Sequence, residues 1–200
     1  MSKKNFSMIV FISSIIVLVF SILGLIMLNL TYLSVTTQYI ITGTTSVLGQ
    51  VNYSGYQLIF DNVSVQVEAE PLLHFIGFIF FLVGSLVFVT LSIINLCSKD
   101  SKKKIELDCY GVSKNRKVLK VLIIVSTVLL VVIAILVIVF GFLCAYSGSG
   151  SVSYKIGAAK VISAFLLGLN FLILAFNLDS VFCYASVNLP KESEKVEKTK

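Results

Sequence analysis

Ser163, Asn170 and Asn177 recur at intervals of seven residues inside an otherwise apolar stretch, a spacing that lays their side chains along one stripe of a helix. A hydroxyl and two carboxamides in such a row can hydrogen-bond to another helix or line a path for a polar solute. In hydrocarbon they must face protein or water. Glu70 and His74 stand four residues apart, close enough to meet on one helical face. Such a carboxylate and imidazole form either a pH-sensitive or metal-binding pair or an interfacial polar pair. The chain has 1 histidine, so no second imidazole completes a metal site, and the interfacial pair is the expected one.

Lys160 and Asp179 share the stretch that carries the stripe, 19 residues apart, which on a helix is about 28 Å. They therefore do not pair with each other. Each lies near an end of the stretch, where Lys160 is expected to snorkel outward and Asp179 inward.

Of the 4 cysteines, Cys97, Cys109 and Cys183 fall at or near the face expected to be cytoplasmic, where juxtamembrane thiols either accept reversible palmitoylation or stay inert. None lies in 34–71, so that segment is expected to fold without a disulfide. Three N-x-[ST] triplets, beginning at Asn29, Asn52 and Asn62, cluster around the same segment. Asn52 and Asn62 are well inside it and are the expected glycosylation sites, while Asn29 is too near the bilayer. No Cys/His metal spacing, Gly-rich phosphate loop or paired carboxylates facing a cleft occur in the sequence, which argues against an enzyme, a cofactor, a metal site or a nucleic-acid partner.

The elements that must position these residues follow from composition. With 57% hydrophobic and 13% charged residues and a mean hydropathy of +0.98, the chain lies far from soluble domains, in which about 25% of residues are charged. Four uncharged or nearly uncharged runs, 6–33, 72–97, 118–145 and 156–184, each exceed the roughly 20 residues that cross a hydrocarbon core. The first is expected to be a retained signal-anchor helix, being longer than the apolar core of a cleaved signal and lacking a small-residue cleavage site. Val and Leu dominate the third run, predicting the largest lipid-facing share, whereas Ala164 and Gly168 in the fourth, and Gly77, Gly84 and Ser85 in the second, offer strips for close helix approach.

Between the first two runs, 34–71 loses the helical period and alternates, as in Val63, Val65 and Val67 against Ser64, Gln66 and Glu68. Three or four short strands are predicted there, punctuated by Gly43, Gly49 and Gly55. The connection 146–155 reads as a short flexible turn between two tyrosines. Residues 98–117 are strongly basic and 1–5 carry Lys3 and Lys4, while 34–71 has neither Lys nor Arg. Short basic loops stay cytoplasmic, so both termini are expected inside and 34–71 outside. The basic loop can also attract anionic lipid headgroups. The Lys/Glu-rich end, 185–200, is predicted to be a disordered tail.

The reading is a membrane all-α four-helix transmembrane bundle with a small β-rich extracellular loop domain between helices 1 and 2. That layout resembles the claudin-like tetraspan proteins, a group that includes peripheral-myelin-protein and fungal eisosome-type members. It matches in its four spans, internal termini, long strand-rich first outer loop, short second one and mixed-charge tail. The chain has 0 Trp and no cysteine in the first loop, so it lacks the signature of claudins proper, and paracellular barrier function is not implied. The expected function is a non-catalytic membrane-organising, adhesion or accessory subunit. Its partners would be the lipid bilayer and other membrane proteins or further copies of itself. A small oligomeric channel or transporter subunit using the Ser163, Asn170 and Asn177 stripe is the alternative.

Overall fold

A computed structural model describes residues 3–41, 44–61, 69–97, 112–143 and 152–188, with side chains over 7–37, 49–61, 69–94, 96–97, 121, 124–143 and 152–177. Helix α1 (Lys3–Met27) leads into strands β1 (Thr31–Ile41) and β2 (Thr44–Ser54) and the short helix α2 (Gly55–Phe60). Helices α3 (Glu70–Cys97) and α4 (Val112–Phe142), strand β3 (Val152–Ile156) and helix α5 (Ala158–Asn188) complete the chain. Four stretches, Ser7–Met27, Glu70–Ile94, Ile124–Phe142 and Ala158–Asn177, are long and apolar enough to cross a membrane. Despite their many β-branched residues they are helices, the state in which each segment satisfies its own backbone polar groups in hydrocarbon.

Helices α1, α3 and α5 pack on one another, most extensively α1 on α3, and α4 packs against α5, while no extended packing joins α3 to α4 among the described residues. Small residues set the close approaches. A Cβ on Gly24 of α1 would run into the Phe78 ring of α3, and one on Gly141 of α4 would meet Ala164 of α5. The strip formed by Ala164 and Gly168 therefore serves α4, since a Cβ on Gly168 would meet Ile138 and the Ala134 carbonyl. The strip expected on α3 divides: Gly77 faces Leu167 of α5, Ser85 is buried, and Gly84 has open space beside it. Burial is 11% for the α4 span against 44% for the α5 span, in keeping with the lipid-facing share expected of the third run.

Strand order is β2-β1-β3, all antiparallel. Among the described residues the first connection supplies two long strands, β1 and β2, and the short helix α2. The turn 146–155 is corrected: its last residues belong to β3, which pairs Leu33 with Ile156, Val35 with Tyr154 and Thr37 with Val152. A three-stranded sheet with an apolar face is near the lower limit of independent stability, and recruitment of β3 makes β1 the central strand. The base of β1 is accordingly buried over Tyr32, Leu33, Ser34 and Val35. The proposed strand at Val63–Val67 lies outside the described residues.

The sheet is fastened to the helices by backbone bonds. Gly157 N–H donates to Tyr32 O at 2.9 Å and Tyr56 N–H to Leu28 O at 3.3 Å. Helix α2 starts with a reciprocal cap in which Gln57 N–H donates to Ser54 Oγ at 3.2 Å and Ser54 N–H to Gln57 Oε1 at 2.9 Å. Tyr56, Phe60 and Phe75 then cluster, with Phe60 and Phe75 edge to face at 5.7 Å.

Candidate functional site

Burial in an apolar bundle makes any polar side chain costly unless it is partnered, so the polar residues inside the helices mark where the chain spends stability. Two groups of them join one element to another, while Ser85 and Ser92 on α3 stand apart from both.

The first is the stripe on α5, and it faces α1. Asn170 Nδ2 donates to Ser21 Oγ at 3.2 Å, and Ser21 Oγ in turn donates to Val17 O at 2.7 Å. One heptad further along, Ser13 Oγ lies 3.0 Å from Asn177 Oδ1 and 3.1 Å from Val10 O, one hydroxyl proton serving two acceptors. Eight residues back along α1 thus match seven forward along α5, as antiparallel helices require. Ser7, Ser13, Ser14 and Ser21 of α1 are all buried, so the seam draws on both helices. The α1 half escaped the sequence reading, although Ser7, Ser14 and Ser21 carry the same seven-residue period. Ser163 and Asn170 are each 0% exposed, and Ser163 Oγ and Asn170 Oδ1 have no hydrogen-bond partner among the described residues.

The second group sits at the sheet end, where α3 and α5 begin and α4 finishes. Lys160 does not snorkel: it is 2% exposed, and its ammonium lies 2.8 Å from Glu70 Oε2 and donates to Leu143 O at 2.8 Å. The physical reason is local. Lys160 falls on the inner face of the first turn of α5, where a carboxylate and an uncapped α4 carbonyl are nearer than solvent. Glu70 and His74 share a helix face but take different partners, for the buried His74 Nδ1 shares a 3.0 Å hydrogen bond with Tyr32 Oη. The imidazole tautomer decides which group donates. Both Glu70 and His74 therefore act as interfacial polar residues, one toward α5 and one toward β1.

Beside this second group, between α3 and α4, lies a cavity of about 640 Å³ that Glu70, His74 and Lys160 border at one end and apolar side chains line elsewhere. It lies where α3 and α4, each in contact with α5, have no extended packing on one another among the described residues.

The remaining predicted positions are dispersed. Asn52 lies on β2 with its side chain exposed, accepting from Gln50 Nε2 at 3.4 Å, and Asn62 is outside the described residues. Cys97 is exposed at the end of α3. Cys109 lies outside the described residues, as does the Cys183 side chain, although its backbone belongs to α5. The Asp179 side chain is likewise outside them, as are residues 98–111 of the basic loop expected at 98–117, whose last residues open α4. Among the described residues no group of three or more His, Cys, Asp and Glu side chains is placed to hold a metal.

Comparison of the chain with protein-family models, curated proteins and solved structures finds no match. The four apolar helices fit a tetraspan layout; a claudin-like kinship has no further support.

Proposed function

We propose that the chain is a non-catalytic, multi-pass membrane protein that organises or accompanies other membrane proteins, or further copies of itself, by lateral packing and through its sheet-bearing end. The observation that carries this reading is the hydrogen bonding of Asn170 to Ser21 and of Ser13 to Asn177. Polar groups spent on joining two helices of one chain are fastenings, worth about 0.6–2 kcal/mol each in membranes. The large apolar residues Leu86, Val87, Phe88 and Ile94 on α3 and Val128, Leu129 and Val139 on α4 face outward, as lipid or a neighbouring helix requires. Among the described residues β2 and β3 are the outer strands in the β2-β1-β3 order, and outer strands are ready-made docking sites.

In this reading the termini are cytoplasmic, the sheet is outside or lumenal with Asn52 and Asn62 as glycan acceptors, and the basic loop rests on anionic lipid. A claudin-like arrangement of that kind remains part of the proposal. Photo-cross-linking from an unnatural residue at Val51, on exposed β2, in native membranes tests it. Discrete cross-linked species are expected, and a chain that remains monomeric at that position in every membrane tested would sink it.

A second reading, a small oligomeric channel or transporter subunit, draws on Ser163 Oγ and Asn170 Oδ1, the buried atoms of the α5 stripe with no partner among the described residues. Such atoms suit water or a solute.

A further inference from the structure

We propose that the groove between α3 and α4 holds a zwitterionic phospholipid from the sheet-side leaflet, with an acyl chain along the groove and the headgroup at Lys160 and Glu70. The groove is lined by Leu73, Ile133, Leu136, Phe140, Leu143 and Leu167 below that ion pair. Its length matches one leaflet. From Lys160 to Leu167 on α5, and from Leu143 to Ile133 on α4, the chain advances about 10–15 Å, which is half of a hydrocarbon core about 30 Å thick. The ion pair closes the groove at the end where the sheet begins, the depth at which headgroups start.

The chemistry of that end selects the head. Lys160 and Glu70 stand 2.8 Å apart and together carry no net charge, so an anionic head would add an uncompensated negative charge beside the Glu70 carboxylate. A head carrying both signs does not: its phosphate oxygens complement the three-donor ammonium and its own ammonium complements the carboxylate. His74, held by Tyr32 on the same border, adds a polar wall. A second protein helix in the groove would have to present a matching polar residue at this depth, whereas every zwitterionic lipid of the leaflet already does.

The test uses the full chain, purified in a non-ionic detergent and read by native mass spectrometry after adding phosphatidylethanolamine, phosphatidylcholine or phosphatidylglycerol of identical chains. One zwitterionic lipid retained per chain is expected, with about tenfold preference over phosphatidylglycerol, the discrimination of a single charge-assisted contact. Leu136→Trp fills the groove from an exposed position and is expected to abolish retention without lowering the unfolding temperature. Glu70→Gln keeps the side chain's shape but removes its charge and is expected to shift the preference toward phosphatidylglycerol, a readout that instability alone does not give. Retention of no lipid, equal retention of all three, or indifference to Leu136→Trp would overturn the proposal. So would a lipid-free dimer that Leu136→Trp dissolves, which would assign the groove to a second copy.

Discussion

Lys160 Nζ stands 2.8 Å from Glu70 Oε2 and 2.8 Å from the carbonyl oxygen of Leu143. A single ammonium thus ties together the first residue of α3, the residue that follows α4 and the first turn of α5. Among the described residues α3 and α4 have no extended packing of their own, and this group links them. Removing either partner leaves a buried charge uncompensated. Lys160→Met or Glu70→Leu is expected to cost about 3–5 kcal/mol, and the double variant to recover most of that loss, because a buried pair contributes little over apolar residues of similar volume. A double-mutant cycle on denaturant unfolding in detergent checks both statements. Additive losses would show that the two groups do not depend on each other.

Gly157 fastens sheet to bundle. A Cβ there would strike the Thr31 carbonyl, and that contact is backbone and has no rotamer by which to yield. Gly157→Ala is expected to break the 2.9 Å bond from Gly157 N–H to Tyr32 O, loosening β3 from β1. Faster hydrogen exchange confined to Val152–Ile156 and the base of β1 is the expected signature, with the α1 and α4 amides unchanged. Uniform protection like that of the parent chain would refute it.

Much of this architecture was legible in the residues. Four apolar runs gave four helices, because that signal is local, while the alternation at Val63–Val67 lies outside the described residues. What was not legible depends on contacts distant in sequence. β3 is a run of only five residues, VSYKI, that alternates apolar and polar, too short to stand as a strand without the partner that β1 offers. Lys160 looked free to reach the interface because nothing near it in sequence shows that Glu70, ninety residues earlier, would lie beside it. The stripe was visible on α5, but its counterpart in α1 was hidden among serines that read as ordinary constituents of an apolar run.

Tyr56 couples the sheet region to pH. Its phenol donates to Leu25 O at 3.0 Å, and burial raises its pKa above the ordinary 10.0. The neutral form is the one the folded state favours. Its contribution is therefore complete below the ordinary tyrosine value and is lost as pH climbs through the raised one. Tyr56→Phe is expected to cost about 1 kcal/mol at neutral pH and to flatten the alkaline decline in stability. Unfolding midpoints of the two proteins, followed from neutral to strongly alkaline pH, test this; parallel curves would contradict it.

Glycosylation reports the side of the membrane on which the sheet lies. Asn52 is exposed on β2, and in cells with a lumenal glycosylation system its sequon is expected to be used. A gel shift that glycosidase removes, and that Asn52→Gln and Asn62→Gln together abolish, is the expected result. No shift in a cell that modifies a control sequon would remove the support that the sequons lend to a lumenal sheet.

The central claim is that the α1–α5 polar seam fastens the bundle and does not conduct. It is tested most directly by reconstituting the parent chain and Asn170→Leu in liposomes and measuring ion and small-solute flux beside unfolding stability. The account predicts no flux from either protein and a loss of about 0.6–2 kcal/mol in the variant, shared with Ser21→Ala because the two side chains form one bond. Flux through the parent chain that Asn170→Leu abolishes while stability is unchanged would contradict it.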